Sequence, residues 1–363
     1  MVSKKLLIAA SGTGGHLFPA LATAQQLADY SIEWLGVPDR LETQLVPAHY
    51  SLHTVRMGGV QSGFGLSTVK TLANFATSLV QVRRLLKQGN FQGVFTTGGY
   101  IAAPAIIAAR SLGLPAILHE SNALPGKVTR WLSPRCTLVA LGFAEAVSYL
   151  PRGKTVVVGT PVRSQFLTEF LTEAPTAAGQ TNLVGIDIPA EAPLIVVVGG
   201  SQGAVAVNNY VRAAAPAWLA AGAWIVHITG TNDPDADSFS HPHYIHRPFY
   251  DQMAALFQRA TLAISRAGAG TLTELAITAT PSILIPYPFA AEDHQTYNAA
   301  AFKNAGAAQM YQQADLSAEK LQALGLELLR SPDTLSQMAN AARSLATKDS
   351  AAKMAQLIDE QLG

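Results

Sequence analysis

Short apolar runs rich in β-branched residues alternate with segments of helical length along the whole chain. Runs that are apolar without a break, rather than alternately apolar and polar, are typical of parallel strands buried on both faces between helices. The first block of runs covers residues 6–10, 32–37, 94–97, 116–119, 137–141 and 155–158, and the second covers 194–198, 224–229, 244–246, 262–265 and 282–286. Two such blocks predict an α/β protein with two doubly wound, Rossmann-like domains.

The domain boundary is predicted from a change in composition after the first block. Residues 172–192 are small, polar and interrupted by Pro and Gly, which indicates a loop or linker. We therefore predict domains at 1–162 and 163–339. The segment 333–360 is predicted to be helical, and because no strand follows it, the C-terminal helix at about 340–363 can pack on either domain, including back on the first.

Composition excludes several classes of protein. Of the 363 residues, 49% are hydrophobic and 13% charged, and the net charge is +1, which gives no support for a nucleic-acid partner. The single cysteine, Cys136, excludes a disulfide and a Cys-rich metal site. No apolar run reaches about 18 residues, so any membrane contact is expected to be peripheral.

Glycine-rich turns follow the first run of each block. The first turn contains Gly12, Gly14 and Gly15 and is followed by His16 and a helix predicted over 17–28. Glycines at the carboxyl end of a strand let an anion or a sugar approach the backbone and the free N–H groups of the next helix. The third glycine of the dinucleotide pattern is missing. A tight turn without a ligand explains this segment equally well.

Two further turns repeat this chemistry in the second block. Residues 199–204 place Ser201 among glycines, where its hydroxyl can donate to a phosphate oxygen. Residues 266–271 precede a helix with Glu274 predicted in its first turn. Thr271 and Glu274 have the spacing of a capping box, which explains the pair without a ligand. If a nucleotide is bound, Glu274 can instead accept hydrogen bonds from the ribose.

Two polar clusters remain. Residues 119–122, which contain His119, Glu120 and Asn122, end a predicted strand and fit a site, although His119 taken alone is best interpreted as a buried histidine with its hydrogen bonds satisfied. The acidic residues of the second cluster, 233–237, have a spacing seen in metal sites, but the stretch reads as a solvated loop. We predict no required metal and no cofactor.

These motifs together resemble the MurG family of UDP-N-acetylglucosamine transferases of peptidoglycan synthesis. Each motif is weak alone, but the ordered set is specific and extends over about residues 5–310. The motifs are 12–20 (GTGGHLFPA), 98–100 (GGY), 119–122 (HESN), 159–163 (GTPVR), 199–204 (GGSQGA), 266–274 (RAGAGTLTE) and 294–298 (HQTYN). The chain departs from the family pattern at Ser11, where glycine is common, at Ser121, where Gln is usual, and at His294, which is Gln in some relatives.

The resemblance implies a GT-B fold, with an active site in a cleft between an N-terminal acceptor domain and a C-terminal UDP-GlcNAc-binding domain. In this fold Ser201 and the 268–271 turn would contact the diphosphate, Glu274 the ribose and Gln295 the sugar, while residues 249–253 would border the uracil. The implied UDP-GlcNAc contacts are Thr13, Gly14, Gly15, Asn122, Arg163, Ser201, Tyr250, Ala269, Gly270, Thr271, Glu274 and Gln295.

The resemblance also implies the reaction and its place in the cell. The 4-hydroxyl of the MurNAc sugar in lipid I, the undecaprenyl-linked MurNAc-pentapeptide, would displace UDP with inversion and give lipid II. His16 is the first candidate for the general base and Glu120 the second. The enzyme would be peripheral, on the cytoplasmic side of the inner membrane.

The predicted helix at 66–88 is the candidate membrane surface. Its apolar side chains cover close to half its circumference, more than packing on a sheet requires, so the excess can face lipid with Lys70, Arg83, Arg84 and Lys87 near the headgroups. A helix buried between two neighbours explains the same pattern. The apolar positions are Val69, Leu72, Phe75, Ala76, Leu79, Val82 and Leu86.

Three other functions remain open at this point. Another GT-B enzyme, such as a UDP-sugar epimerase or a glycolipid synthase, differs in its acceptor. A non-catalytic nucleotide-sugar sensor would bind the donor without turnover. An NAD-dependent dehydrogenase is disfavoured by the incomplete glycine pattern and by the lack of an acidic residue at the end of the second strand.

Overall fold

The computed structural model describes residues 4–57, 66–168, 183–200 and 203–363, with the backbone alone for residues 66–70 and 168. Its contacts divide the chain into two compact units. One unit comprises Met1–Arg163 and Lys348–Gly363, and the other comprises Ser164–Thr347. Part of the predicted linker, residues 172–182, lies outside the described residues.

The first unit contains a parallel sheet of seven strands in the order β3-β2-β1-β4-β5-β6-β7. The strands are β1 (Lys4–Ala9), β2 (Tyr30–Gly36), β3 (Ser51–Thr54), β4 (Gly93–Thr96), β5 (Ala116–Glu120), β6 (Leu138–Leu141) and β7 (Thr155–Val157). The helices between them are α1 (Gly14–Ala24), α2 (Glu42–Leu45), α3 (Leu66–Gln88), α4 (Ala102–Ser111) and α5 (Lys127–Leu132), with 3-10 turns at Ser133–Arg135 and Ala144–Tyr149.

The second unit repeats this plan with six parallel strands in the order β10-β9-β8-β11-β12-β13. The strands are β8 (Leu194–Val198), β9 (Trp224–Ile228), β10 (Tyr244–Arg247), β11 (Leu262–Ser265), β12 (Ser282–Leu284) and β13 (Ala308–Met310). The helices are α6 (Gln165–Thr168), α7 (Val205–Ala220), α8 (Met253–Arg259), α9 (Ala269–Ile277), α10 (His294–Asn304), α11 (Ala318–Leu329) and α12 (Pro332–Leu345), with 3-10 turns at Ala291–Asp293 and Gln313–Asp315.

Both sheets are doubly wound. The first strand of each unit lies inside its sheet, and the strand order reverses between β1 and β4 in one unit and between β8 and β11 in the other. The predicted fold of two Rossmann-like domains is confirmed. In open parallel sheets, ligands bind beyond the carboxyl ends of the strands at this reversal, where the turns after β1, β4, β8 and β11 lie.

Every predicted apolar run forms a strand, but the sequence analysis did not find β3 and β13. Both are edge strands. β3 has the sequence Ser-Leu-His-Thr with its ends exposed, and β13 is only three residues long. An edge strand is covered less than a central one, so it does not need the continuous apolar run by which the other strands were recognised.

The first sheet is packed on both faces. One face is covered by α3, α4 and α5, and its core includes Val82, Ile106 and Leu132. The opposite face is covered by α1 and by the C-terminal helix α13 (Ser350–Leu362), whose Met354 and Ile358 pack among the side chains of β1. The end of the chain therefore completes the core of the first unit.

Two helix predictions differ from the structure. The segment 333–360 is not one helix, because Ala346 has extended backbone angles and ends α12 where the chain passes from the second unit to the first. α1 begins at Gly14 and not at residue 17, so His16 lies in its first turn. The predicted helix at 66–88 is confirmed as α3. None of the described helices has the length and hydropathy needed to cross a membrane.

Candidate active site

A buried carboxylate holds the glycine turn after β1 in place. Glu42, at the start of α2, is fully buried and accepts hydrogen bonds from the hydroxyl of Ser11, from the N–H of Gly12 at 3.2 Å and from the N–H of Val37 at 2.7 Å. A carboxylate removed from water needs several donors to offset its lost hydration. Glu42 thereby joins the turn after β1 to the turn after β2.

The turn leads into a first helical turn that stays open to a ligand. Thr13 is the N-cap of α1, and its carbonyl accepts from the N–H groups of His16 and Leu17. A Cβ at Gly14 would lie 2.7 Å from the ring of Phe18, so a larger residue there would displace that ring. The N–H groups of Gly14 and Gly15 belong to the first turn, where a helix provides no acceptors.

The His16 imidazole is fixed in one tautomer. Its Nδ1 lies 2.7 Å from the carbonyl oxygen of Thr97, and the hydroxyl of Thr97 donates to the carbonyl of His16 at 2.9 Å. Because a carbonyl oxygen only accepts, Nδ1 carries the proton and Nε2 of the neutral ring carries the lone pair. Gly98 and Gly99, both with positive φ, pass alongside the ring.

The Glu120 carboxylate organises the loop that follows β5. One oxygen accepts from the backbone N–H and the side-chain amide of Asn122, both at 3.0 Å. The other accepts from the N–H of Gly126 at 3.1 Å and from the hydroxyl of Thr129 at 2.7 Å. The carboxylate thus joins the loop to the start of α5, and its first oxygen orients Asn122.

His119 is buried and bonded, as expected for the residue taken alone. Its Nε2 donates to the carbonyl of Gly159 at 2.9 Å, and its Nδ1 accepts from the hydroxyl of Ser121 at 3.3 Å. Burial lowers the pKa of His119 and keeps the ring neutral. The imidazole joins the end of β5 to the segment that leads to Arg163, whose guanidinium lies 4.7 Å from the ring centre of Phe18.

In the second unit, the turn after β11 leads directly into the first turn of α9. Gly268 is the N-cap, so Thr271 is the third residue of the helix and Glu274 lies in its second turn. The capping-box interpretation is wrong, because neither residue stands at the cap. The amides of Ala269, Gly270 and Thr271 belong to the acceptor-free first turn, and a Cβ built on Gly268 or Gly270 meets no atom within 4 Å.

α10 holds this turn from behind. The side-chain carbonyl of Gln295 accepts from the N–H of Ala267 at 3.1 Å and from the N–H of Tyr287 at 2.9 Å. The Asn298 amide donates to the carbonyl of Ala267 at 3.1 Å. Because the Gln295 carbonyl oxygen is occupied by these two contacts, the side-chain NH₂ is the group of Gln295 that can donate to a ligand.

Two further predicted contacts of UDP-GlcNAc are Tyr250 and Ser201. Tyr250 is buried, and its hydroxyl lies 3.4 Å from the carbonyl of Val184, so this segment can offer a ligand its backbone more readily than the Tyr250 ring. Ser201 lies outside the described residues. Gly203 follows with a positive φ and packs against Thr229, where a Cβ would come within 2.4 Å of the carbonyl oxygen.

The acidic stretch 233–237 is only partly the solvated loop that was predicted. The Asp233 side chain is fully buried and binds the Arg212 guanidinium at 2.7 Å, whereas Asp235 and Asp237 are exposed. Burial alone raises the pKa of Asp233, but hydrogen bonds from Arg212 and Asn208 outweigh it and lower the pKa. Within the described ranges, no group of three or more His, Cys, Asp or Glu side chains is placed to hold a metal.

Comparison with known proteins gives the family. The models of glycosyltransferase family 28 match residues 6–141 with the N-terminal domain and residues 194–358 with the C-terminal domain. The UDP-N-acetylglucosamine--N-acetylmuramyl-(pentapeptide) pyrophosphoryl-undecaprenol N-acetylglucosamine transferase of Nostoc sp. is 62% identical over 98% of this chain and 97% of its own length. The enzyme of the same name from Trichodesmium erythraeum is 59% identical, over 99% and 92%.

A solved structure agrees with these relatives. The crystal structure of MurG from Acinetobacter baumannii superposes with a TM-score of 0.78 at 30% identity and covers 98% of this chain and 99% of its own. The chain belongs to the MurG family. A putative UDP-N-acetylglucosamine 2-epimerase from Listeria monocytogenes also superposes, with a TM-score of 0.67, but at 12% identity this likeness shows the fold alone.

The three departures from the MurG family pattern each have a local hydrogen bond. The Ser11 hydroxyl donates to Glu42, and Ser121 donates to the buried His119. His294, the first residue of α10, donates from Nδ1 to the carbonyl of Ala291 at 2.8 Å. These polar side chains are thus bonded within the fold.

We predict that the second unit loses stability in acid through His227. Its Nε2 donates to Asn208 Oδ1 at 3.0 Å and its Nδ1 accepts from the Tyr244 hydroxyl at 2.7 Å, while burial lowers the pKa of His227 to about 3. The unfolded histidine, with a pKa near 6.5, binds a proton before the folded one does. The free energy of unfolding should therefore fall from about pH 6.5 towards pH 3, by at most about 1.4 kcal/mol per pH unit from this group.

The measurement is the free energy of unfolding by denaturant between pH 7 and pH 4, for the transition of the second unit, in the wild type and in His227→Gln. The variant is less stable at pH 7 but should have a shallower pH dependence. His241→Gln, at an exposed histidine of the same unit, is the matched control and should keep the wild-type slope. An unchanged slope in His227→Gln would contradict the assignment.

Proposed function

We propose that this protein transfers N-acetylglucosamine from UDP-GlcNAc to the 4-hydroxyl of the muramyl sugar of lipid I and so produces lipid II for peptidoglycan. Relatives at 57–62% identity, which carry the name of this transferase, support the substrates. The observation that carries the chemistry is the hydrogen bond from His16 Nδ1 to Thr97, because it leaves Nε2 as the basic nitrogen.

The reaction is a single displacement. The acceptor oxygen forms a bond to the anomeric carbon as the bond from that carbon to the UDP oxygen breaks, so the configuration inverts. His16 Nε2 takes the proton of the attacking hydroxyl. The imidazolium that forms keeps its Nδ1 hydrogen bond to Thr97, which stabilises the positive charge. The negative charge appears on the departing diphosphate.

We assign donor binding mainly to the second unit. The amides of Ala269, Gly270 and Thr271 are placed to bind the diphosphate, since the first turn of a helix combines free N–H groups with the positive end of the dipole. We propose that the side-chain NH₂ of Gln295 donates to the sugar hydroxyls, since its carbonyl oxygen is already bonded within the fold. Ribose binding by Glu274 and diphosphate binding by Ser201 stay predictions from the family resemblance.

We assign the acceptor and the base to the first unit. The amides of Gly14 and Gly15, the N-cap Thr13, the Asn122 side chain held by Glu120, and Arg163 stacked on Phe18 are the groups proposed to contact donor or acceptor. Glu120 is the weaker candidate for the base, because its two oxygens already accept from four donors on Asn122, Gly126 and Thr129. We therefore propose that Glu120 positions Asn122 and that His16 is the base.

We also propose that the protein acts as a peripheral enzyme on the cytoplasmic face of the inner membrane, where a lipid-linked acceptor is found. Phe75, Leu79, Val82 and Leu86 of α3 pack on the core, but Leu72 and Val80 are 64% and 60% exposed. Continued at helical spacing, the same exposed stripe carries Arg84 and Lys87. Apolar and basic side chains in one stripe suit an anionic bilayer surface.

The decisive experiment measures UDP release from UDP-GlcNAc in the presence and absence of the lipid-linked muramyl-pentapeptide acceptor. Release that depends on this acceptor, with a new disaccharide product, is expected. An epimerase converts UDP-GlcNAc without the acceptor, and a sensor gives no product. Either result would reject the proposed reaction.

We predict that His16→Gln lowers the turnover number by roughly 10² to 10⁴. The glutamine NH₂ can keep the contact to the Thr97 carbonyl but provides no basic nitrogen. UDP-GlcNAc binding, measured separately by calorimetry, should stay within about twofold of the wild type. His49→Gln, at an exposed histidine, is the control. A loss below about tenfold would exclude His16 as the base.

We predict that Gly270→Ala weakens UDP-GlcNAc binding without lowering the free energy of unfolding. The new methyl group meets no atom of the protein, so the free energy of unfolding should stay equal or rise by up to about 1 kcal/mol. In the complex the methyl would stand in front of the α9 amides and weaken UDP-GlcNAc binding at least tenfold. Thr273→Ala on the same helix is the control, and equal affinities in the two variants would argue against the diphosphate site.

We predict that Arg84→Glu/Lys87→Glu weakens binding to vesicles containing anionic lipid. Each basic residue near such a surface contributes about 1 kcal/mol, so the vesicle partition constant measured by sedimentation should fall at least tenfold. The rate of transfer to a soluble acceptor analogue should not change. Arg83 is left in place because it donates to Ser111 on α4. Arg330→Glu/Lys303→Glu, in the second unit, is the charge-matched control, and equal sedimentation of the two variants would disprove this surface.

A further inference from the structure

A polar pocket of about 510 Å³ opens beside α3 in the first unit, apart from the residues assigned to catalysis. One wall is formed by the segments that follow β2 and β3, and the other wall by one side of α3. The lining side chains are amides, hydroxyls, one guanidinium and one proline: Pro38, Thr54, Arg56, Asn74, Thr77, Ser78 and Gln81.

The helix side of the pocket is a regular stripe. Asn74, Thr77, Ser78 and Gln81 follow the spacing i, i+3, i+4, i+7, which places them on one face of α3. This face differs from both the core face and the exposed stripe of Leu72 and Val80. Ser78 is buried and donates to the Arg56 carbonyl at 3.1 Å, so the stripe is fixed to the opposite wall.

The lining chemistry fits a peptide. Each unit of a peptide backbone offers one donor and one acceptor, and the side chains of Asn74 and Gln81 each provide both. Arg56, which is exposed and forms no salt bridge with a carboxylate of the described residues, is suited to a peptide carboxylate. No aromatic ring lines the described walls, so the pocket lacks a flat surface on which a sugar could stack.

The pocket lies within reach of the proposed base. Pro38 follows Val37, whose N–H binds the Glu42 carboxylate that also holds Ser11 and Gly12. β3 is separated by β2 and β1 from β4, whose end binds His16 through Thr97, so the ends of β3 and β4 lie about 14 Å apart. A peptide of five residues extends to about 17 Å, enough to run from a sugar at His16 into the pocket.

We propose that this pocket binds the peptide chain of the acceptor and discriminates peptide-bearing from peptide-free muramyl acceptors. The inference rests on the proposed transfer reaction. Arg56 binds a carboxylate of the peptide, and Asn74 and Gln81 bind its backbone, while the sugar hydroxyl is presented to His16.

The test compares wild type with Arg56→Gln and with Asn74→Ala/Gln81→Ala on two acceptors, one with the pentapeptide and one with the same lipid, diphosphate and muramyl sugar but no peptide. With the peptide present, KM should rise roughly tenfold in each variant, as expected for two or three lost hydrogen bonds, and kcat should stay unchanged. Without the peptide, KM should be the same in variants and wild type. Gln88→Ala, an exposed glutamine of the same helix outside the pocket, should match wild type throughout.

Equal KM changes on the two acceptors, or none on either, would overturn the proposal. Calorimetric titration with soluble N-acetylmuramyl pentapeptide separates this failure from a failure of the transfer reaction, because it needs no turnover. Weaker binding in the pocket variants, with binding retained in Gln88→Ala, supports the pocket even if no transfer occurs. Equal binding by all proteins rejects it even if transfer proceeds normally.

Discussion

The hydrogen bond from His16 to the Thr97 carbonyl is the contact on which the proposed chemistry depends. It fixes the proton on Nδ1, so a neutral ring has its lone pair on Nε2, and it connects the first turn of α1 to the end of β4. These two elements flank the point at which the strand order reverses. The fold thus places a basic nitrogen where doubly wound sheets bind ligands, and the tautomer is set by backbone geometry alone.

Elsewhere in the site, buried polar side chains hold the glycine turns from behind. Glu42 holds the turn after β1, Glu120 the loop after β5, and Gln295 with Asn298 the turn after β11. A glycine-rich turn has few side-chain contacts of its own and loses much backbone entropy on folding. Hydrogen bonds to its amides and carbonyls from neighbouring elements offset this cost. They also leave its outer face open to a ligand.

The central strands were predictable because burial on both faces requires continuous apolar runs, as in 194–198 and 262–265. The edge strands β3 and β13 are not buried on both faces and therefore lack such runs. The end of α12 after Leu345 could not be predicted either, because no Pro or Gly stands there. Among the candidate site residues, the glycine turns and the 119–122 cluster could be proposed from the sequence. Glu42 was not, because a single glutamate in a polar stretch has the same local sequence whether it is solvated or buried beneath a turn.

The burial of Asp233 could not be predicted from its local sequence either. Its neighbours Asp235 and Asp237 are exposed, as a polar, Pro-bearing stretch predicts, but Asp233 binds Arg212, which is twenty-one residues away on α7. Local composition reports the average environment of a segment, whereas a buried ion pair depends on which distant side chain the fold brings near. Residues of this kind become recognisable only once the packing of the helices is known.

Helix α3 has three faces, each with a different environment. One face packs on the sheet through Phe75, Leu79, Val82 and Leu86. The exposed stripe that begins at Leu72 and Val80 is apolar and basic. A third face lines the polar pocket. A helix that only covered a sheet would need one apolar face and a uniformly polar remainder. A lipid-linked muramyl peptide is itself an amphiphile with an apolar tail, a sugar and a polar peptide. One helix with separate surfaces for lipid and peptide can hold the apolar tail and the peptide with a single rigid element, so that the sugar between them is directed to His16 by the rest of the unit.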